Sequence, residues 1–248
     1  KFNDAANAIY DFVWGTFCDW YLELTKPLLD SEHAAEIKST AAWVFDQILL
    51  MLNPFMPFIS EELFAGITPR SERLLASKWP EYMGLMNNDA EREIGLLQSV
   101  INEIRSVRND MNVPVTAKLH LQIRGCSASD KAVLSAHDVL VKRMARLESI
   151  TLSDDAAPKG AIQSVVGNLT LVLPVADIID ITKEKARLQK EIEKQTAELK
   201  RVEAKLGNEQ FVANAPEEII AEQNARKAEA SAAIAKLSAA LKAIGEAA

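Results

Sequence analysis

The sequence predicts a mainly α protein in three parts: a helical bundle, a small α/β unit and an antiparallel coiled-coil hairpin. Apolar residues recur at three-to-four spacing through much of the first 111 residues, which is the period of amphipathic helices. Alternating apolar residues and turn signals follow between 115 and 178, which indicates strands. Heptad repeats then occupy 183–245. We therefore expect domains at 1–114, 115–180 and 181–248.

The first part is predicted to be helical throughout, with loops where proline interrupts the pattern. An aromatic-rich helix should cover 3–26, and a second helix, capped by Ser31, should run to about Leu52. Prolines then break the pattern, and Ser60 is a candidate cap for a short helix. A third long helix, with Asn88 in a capping box, should end near Met111.

The middle part changes from helical spacing to alternation, which indicates a sheet with one covering helix. Gly167-Asn168 is a two-residue signal for a tight β-hairpin turn. The predicted elements are strands at 118–124, 149–153, 162–166 and 169–173, and a helix at 129–146.

The last part contains two helices whose apolar seams follow the heptad rule. The first seam consists of Leu188, Ile192, Gln195, Leu199, Val202 and Leu206. The second consists of Ile220, Gln223, Lys227, Ala230, Ile234, Leu237, Leu241 and Ile244. Gly207-Asn208 should supply a left-handed C-cap, and the short connection favours antiparallel packing. Because many seam positions are Ala, Gln or Lys, we expect a thin hairpin that is marginal on its own.

Composition excludes several classes of protein. No apolar run reaches 18 residues and no signal peptide is visible, so we expect neither a membrane span nor export. The two cysteines, Cys18 and Cys126, are isolated, and the three histidines show no metal-ligand spacing. These features predict a reduced, cytoplasmic protein without a metal site. The absence of an initiator Met is typical of a fragment.

The formal net charge of −7 argues against general affinity for nucleic acid, but the charge is unevenly distributed. Between Lys183 and Lys205 there are eight Lys or Arg residues and only five Glu. This predicted helix is the one long basic stretch in an otherwise acidic sequence, and it favours nucleic-acid binding. The alternative is that these charges merely solvate the outer face of a coiled coil.

No catalytic constellation is visible: phosphate loops, nucleophile elbows and zinc-protease motifs are all missing. Three candidate binding features remain, namely the aromatic first helix, an arginine face near residue 105, and the basic helix. Aromatic side chains can stack on bases, although core packing explains them as well. Paired arginines match phosphates, although they can also be exposed or paired with carboxylates. The candidate residues for binding nucleic acid are Arg105, Arg108, Asn112, Lys183, Lys185, Arg187, Lys190, Lys194, Lys200 and Arg201.

Several short strings of the sequence carry a family resemblance. They are residues 2–6, 12–14, 17–23, 53–63 (Asn-Pro-Phe-Met-Pro-Phe-Ile-Ser-Glu-Glu-Leu), 104–105, 111–114, 206–212 and 215–218. Together they resemble the C-terminal part of bacterial valyl-tRNA synthetases, and the resemblance runs the length of the chain. One departure is Asn53, where the family would have His.

The resemblance implies an anticodon-binding helical bundle and a C-terminal coiled-coil arm that leans on the outer corner of valine-specific tRNA. The parent enzyme would be an ATP-dependent valine–tRNA ligase that uses ATP with Mg²⁺. Its catalytic and editing domains, and the first helices of the bundle, would lie upstream. This portion would then carry no catalytic site and no cofactor of its own. We expect a monomer that binds no membrane.

Two alternatives to the valine enzyme remain open from the residues. The equivalent region of isoleucyl-tRNA synthetase is the nearer one, but its usual zinc-binding cysteines are missing here. The other is a structural coiled-coil adaptor that binds protein, which the heptads alone would also support.

Overall fold

The computed structural model describes residues 1–82, 84–176, 178–208 and 216–247, with the side chains of 246 and 247 left aside. The chain divides into two compact units, 1–91 and 92–248. Each unit is described by itself. The mainly α fold class, with a small sheet and a C-terminal helical hairpin, is confirmed.

The first helix of unit 1 is continuous but changes its winding along its length. It begins as α1 (Phe2–Asp11), passes through a π-helical segment (Phe12–Leu22) and ends as α2 (Glu23–Thr25), ahead of a 3₁₀ turn (Lys26–Leu28). Long π-helical segments are rare and are associated with functional sites. The predicted helix over 3–26 is confirmed, and its predicted apolar face is the less exposed one.

Two further helices, α3 (Ala34–Leu52) and α4 (Pro57–Ile67), complete the described helices of unit 1 before residue 88. Both start away from the predicted serine caps. The hydroxyl of Ser31 lies in the preceding turn, where it donates to the Leu28 carbonyl at 2.6 Å. Helix α4 begins at Pro57, whose fixed φ suits a first helical position. Ser60 therefore lies inside the helix, with its hydroxyl bonded back to the Met56 carbonyl at 2.8 Å.

The core of unit 1 forms where α3 and α4 meet the short 3₁₀ turn at Leu74–Ala76. Leu49, Phe64 and Leu74 are buried against one another. The Glu61 carboxylate accepts the backbone N–H of Leu74 at 3.1 Å and so fixes this turn against α4. The stretch that follows α4 thus contains one ordered turn that contributes to the core.

Unit 2 is built on α5 (Asn88–Asp110), whose first turn lies at the boundary between the units. Its cap is Asn87, one residue before the prediction: the Asn87 side chain accepts the N–H of Ala90 at 3.1 Å. Leu97, Ile101 and Ile104 are fully buried along one face of the helix. These side chains place one face of α5 in the core.

The described part of the α/β region forms a four-stranded sheet in the order β2-β1-β4-β3. The first pair, β1 (Leu119–Arg124) and β2 (Leu147–Leu152), is parallel. The pair β3 (Ala161–Val166) and β4 (Leu169–Pro174) is the predicted hairpin, with Gly167 at φ +56° in its turn. The predicted sheet is therefore confirmed.

The parallel pair requires a helical crossover, and the crossover is divided into two helices. These are α6 (Ala128–Ala136) and α7 (Asp138–Ala145), separated at His137, where φ is −109° and ψ is 18°. The single predicted helix over 129–146 is wrong in this respect. Ser127 and Asp130 form a complete capping box at the start of α6, so this helix has its own N-terminus.

The C-terminal hairpin consists of α8 (Ile181–Leu206) and α9 (Glu217–Ala247). Leu188 and Val202 of α8 are buried, and so are Ala230 and Ile244 of α9, as the heptad seams predicted. Lys227 is an exception. It is exposed and forms an ion pair with Glu203 at 3.1 Å, because its long cationic side chain leaves the seam for the flank.

The C-terminus of α8 differs from the prediction. Gly207 lies in the right-handed region, with φ −79° and ψ −8°, and its N–H continues the helical bonding to the Glu203 carbonyl. The left-handed cap expected at Gly207-Asn208 is therefore wrong. The rest of the predicted connection, 209–215, lies outside the described residues.

The root of the hairpin is fastened at the end of α5. The Asp110 carboxylate forms an ion pair with Lys236 of α9 at 2.9 Å, and the Asp110 carbonyl accepts a bond from Arg187 of α8 at 3.1 Å. Helix α9 also packs beside β3. Both helices of the hairpin are thus held by the same residue at the point where they leave the α/β region.

The seam of the hairpin contains one buried defect. Gln223 is 5% exposed, and its Oε1 atom has no hydrogen-bond partner within the described part of the chain. A buried acceptor without a partner costs free energy that an apolar side chain of similar size would not. We expect Gln223→Leu to stabilise unit 2 by about 1 kcal/mol, which raises Tm by about 2–4 °C for a chain of this size.

Thermal unfolding followed by far-UV circular dichroism measures this effect. All four tryptophans lie in unit 1, so tryptophan fluorescence should show no shift. The exposed neighbour Asn224 provides the control, since Asn224→Leu adds an apolar side chain outside the seam. An equal gain from both variants would show that seam burial is not the cause.

Candidate nucleic-acid interface

The basic residues of α8 form a stripe on the side of the helix away from the seam. Its members, here called the basic stripe, are Lys183, Lys190, Lys194 and Arg201. At 3.6 residues per turn these positions fall within about 40° of one another, and all four are exposed. From Lys183 to Arg201 the stripe is roughly 27 Å long at 1.5 Å per residue.

The carboxylates of α8 lie outside the basic stripe, and several are neutralised by neighbours. Glu198 forms an ion pair with Arg226 of α9, and Glu203 pairs with Lys227 as described above. Glu184 pairs with Arg187 on α8 itself. Helix α9 therefore contributes cations to the acidic flank of α8, which leaves the stripe as the positive face of the hairpin.

Two members of the stripe also have local partners. Lys183 lies 3.3 Å from the Asp180 carboxylate, and Lys194 lies 3.3 Å from Glu191. The pKa of Asp180 is lowered, chiefly because its carboxylate accepts the backbone N–H of Lys183 as the cap of α8. Exposed ion pairs of this kind are worth little, so both ammonium groups can exchange their partners for phosphates.

The other predicted residues of α8 lie elsewhere on the helix. Lys200 is exposed but points to one side of the stripe, and Lys185 is half-buried. Arg187 is engaged at the root of the hairpin through Asp110 and Glu184. The hydrogen bonds that Arg187 donates to the Glu184 carboxylate raise the pKa of Arg187, and the same guanidinium ties α8 to the end of α5.

The predicted arginine face of α5 opens onto a cleft of about 430 Å³, here called the arginine cleft. Its polar lining consists of Arg105, Arg108, Asn109, Asn112 and Arg146. The structure thus brings together the three predicted residues and adds Arg146, the residue that follows α7. Each of the three arginines donates to backbone carbonyls.

Arg108 is the buried member of the cleft, with 8% of its surface exposed. Its guanidinium donates to the carbonyls of Pro114 at 3.0 Å and Ala117 at 2.8 Å, and at 3.5 Å to that of Arg146. Burial and the nearby Arg146 charge together lower the pKa of Arg108. This side chain ties α5 to the segment before β1. Arg108 is thus neither exposed nor paired with a carboxylate, which were the two alternatives to phosphate binding.

The two exposed arginines of the cleft meet the ends of neighbouring segments. Arg105 donates to the Met144 carbonyl at 3.1 Å, which is one of the carbonyls left without a helical partner at the end of α7. Arg146 donates to the Val115 carbonyl at 2.6 Å. Sequence patterns missed Arg146, although the run Lys142-Arg143 in the last turn of α7 signalled a basic helix end.

The aromatic first helix does not behave as a simple core element. Phe17 is buried and stacks on Tyr21 at a centroid distance of 5.7 Å. Tyr10 and Trp14 are exposed, at 62% and 56%. Within the described residues of unit 1, core packing accounts for Phe17 but not for these two side chains.

The described residues hold no group of three His, Cys, Asp or Glu side chains arranged to bind a metal ion. No helix in the described part of the chain is long and apolar enough to cross a membrane. The described residues form two basic surfaces, the basic stripe and the arginine cleft.

Comparison with known families matches these surfaces to recognised domains. A model described as the anticodon-binding domain of tRNA ligase matches residues 1–123. A second, described as the valyl tRNA synthetase tRNA binding arm, matches 180–245, which is the α8–α9 hairpin. The chain belongs to the valyl-tRNA synthetase family. The arm model favours the valine over the isoleucine enzyme, so the predicted resemblance is confirmed and the isoleucyl alternative is not supported.

Individual relatives agree with this assignment. The valine–tRNA ligase of Caulobacter vibrioides is 48% identical, over 97% of this chain and 27% of the relative. Those of Cereibacter sphaeroides and Agrobacterium fabrum are each 42% identical, over 99% and 100% of this chain and 25% and 27% of the relatives. The chain thus spans about a quarter of the length of the curated relatives it matches.

The burial of Arg108 makes a prediction about stability. Arg108→Ala removes a buried side chain together with its bonds to the carbonyls of Pro114 and Ala117, so we expect it to destabilise unit 2 by about 1–3 kcal/mol. Urea unfolding followed by circular dichroism should show the loss, while the tryptophan fluorescence of unit 1 should not. Arg105→Ala, at the exposed neighbour, should cost less than about 1 kcal/mol. Equal costs for the two variants would contradict the structural role of Arg108.

Proposed function

We propose that this chain is the tRNA-recognition portion of a valine–tRNA ligase, and that it binds valine-specific tRNA. The observation that carries the proposal is that the family arm matches 180–245, the hairpin on which the basic stripe lies. Catalysis and editing would take place in upstream domains of the same protein, where ATP would be consumed with Mg²⁺ as the metal cofactor. We assign no residue of this chain to that chemistry, and we expect a monomer.

The basic stripe would act on the phosphate backbone rather than on bases. Its cations are long, exposed and spaced at intervals of seven, four and seven residues, which corresponds to roughly 10, 6 and 10 Å along the helix. Contacts with phosphates position a protein on nucleic acid without reading its sequence. Specificity for valine tRNA would therefore come from unit 1, whose exposed Tyr10 and Trp14 can stack on unpaired bases.

The seam supports this proposal over an adaptor that recruits protein through its heptads. Leu188, Val202 and Ile244 are buried within the hairpin formed by α8 and α9 of one chain. The heptad pattern is thus satisfied without a second copy. The outward face is cationic, which suits a polyanion better than an apolar partner helix.

The stripe makes a direct prediction for tRNA binding. Neutralising Lys190, Lys194 and Arg201 together, each by exchange to Gln, should weaken binding of valine tRNA at least about ten-fold. Since three phosphate contacts are lost, the slope of log affinity against log salt should fall by about two to three. Fluorescence anisotropy with labelled tRNA at several salt concentrations measures both quantities.

A charge-conserving variant is the matched control. Lys190→Arg, Lys194→Arg and Arg201→Lys keep the stripe positive, and binding should stay within about two-fold of the original. The circular dichroism of both variants should match that of the parent chain. Undiminished binding by the Gln variant would contradict a phosphate role for the stripe. Sedimentation that showed dimerisation through 183–248, without any effect of tRNA, would favour the adaptor instead.

A further inference from the structure

The segment between the two family matches, 124–179, contains most of the sheet and the helix α7. The C-terminal end of α7 faces the arginine cleft and, next to it, a groove of about 590 Å³. The groove is lined by Lys118, Lys142, Arg143 and Arg146, with Glu148 as its one carboxylate among the described lining residues. The cleft and the groove share Val115 and Arg146, so they form one continuous basic track.

We infer that this track, from Arg105 through Arg146 to Arg143, is a second phosphate-binding surface that takes the backbone of RNA. It is separate from the hairpin stripe. Arg105 and Lys118 lie within the match to the anticodon-binding domain, whereas Arg143 and Arg146 lie between the two family matches. The inference rests on the proposed function, because it assumes that the chain binds tRNA.

The local electrostatics of the track favour an anion. The polar side chains that line the arginine cleft are arginines and asparagines, with no carboxylate among the described lining residues. In the groove, Lys118 pairs with Glu148 at 3.4 Å and Lys142 pairs with Asp138 at 2.6 Å. Those pairs leave the guanidinium groups of Arg143 and Arg146 as the exposed surplus of positive charge.

The end of a helix would normally oppose this role, because its free carbonyls carry partial negative charge. Here the arginines of α5 offset that effect. Arg105 donates to the Met144 carbonyl and Arg108 donates to that of Arg146. With these carbonyls satisfied, an incoming phosphate meets N–H donors first. A guanidinium has five such donors, and the bond from Arg146 to Val115 uses one of them.

Backbone strain gives an independent indication. Among the described residues, two that are not glycine have positive φ, namely Asn112 at 47° and Arg146 at 55°. Both line the arginine cleft. Left-handed backbone costs an L-residue about 1 kcal/mol, and glycine is the usual choice at such a helix end. Arginine at position 146 is therefore less favourable for folding than glycine would be. Strained residues of this kind are typical of functional sites.

The shape of the track favours an RNA backbone over a small phosphate ion. A pocket for a single ion is enclosed and converges on one point, whereas these two basins adjoin and open side by side along the end of α7. Arg105, Arg146 and Arg143 are all exposed. A row of exposed guanidinium groups suits successive phosphates, which bidentate contacts hold in register.

Arg146→Gly is the discriminating variant, because it removes the guanidinium and also relieves the left-handed strain. We expect tRNA affinity to fall about five-fold, with the salt slope lower by about one, while Tm stays equal or rises. If Arg146 only stabilised the fold, Arg146→Gly would instead lower Tm. Lys131→Ala removes one exposed charge from α6 in the same unit, and it should leave affinity unchanged.

The outcomes separate the two proposals. Unchanged affinity for Arg146→Gly, together with weakened binding by the stripe variant, would overturn the track and leave the proposed function standing. Absence of tRNA binding by the whole chain would overturn the proposed function first. Inorganic phosphate is the second probe: if millimolar phosphate raises Tm of the parent chain but not of Arg146→Gly, the site holds a free ion, and the RNA assignment fails.

Discussion

The position of the hairpin depends on Asp110, the last residue of α5. Its carbonyl accepts a bond from α8 and its carboxylate pairs with α9, so a single residue holds both helices at their root. The buried face of α5 contributes to the core of the same unit, which makes α5 the fixed reference for the arm. Four of the fourteen seam positions are Gln, Lys or Ala, so we expect an isolated hairpin of this kind to be marginal. Attachment to α5 therefore supplies much of what makes the arm a defined structure.

The same helix also organises the second basic surface. Arg105 and Arg108, near the end of α5, satisfy carbonyls at the end of α7 and before β1. Asn112, just beyond the helix, lies in left-handed backbone within the same cleft. The final two turns of α5 thus bond to three neighbouring elements: the hairpin, the crossover helix α7 and the segment that enters the sheet. A change in this short stretch would be felt in each of them.

Periodicity predicted the fold because its elements follow local rules. The heptad seams, the alternation of β1 and the Gly167 turn each depend on residues close together in sequence. Tertiary contacts decided the rest. The three-residue spacing between Arg105 and Arg108 would suit a pair of exposed phosphate ligands. In the structure, the segment before β1 covers Arg108 and buries it. Arg146 entered the cleft only because α7 ends beside α5, which no local pattern encodes. The start of α4 at Pro57 likewise shows that a proline at N1 outweighed a nearby serine cap.

Under the proposed function, the unbroken course of α8 from Ile181 to Leu206 limits the kind of RNA that the chain could select. A row of cations roughly 27 Å long on one helix cannot bend to follow a flexible strand. It fits only a partner whose own charges keep a fixed course over a similar distance. Under the proposed function, such a row would discriminate by the rigidity and outline of a folded RNA, before any base is read.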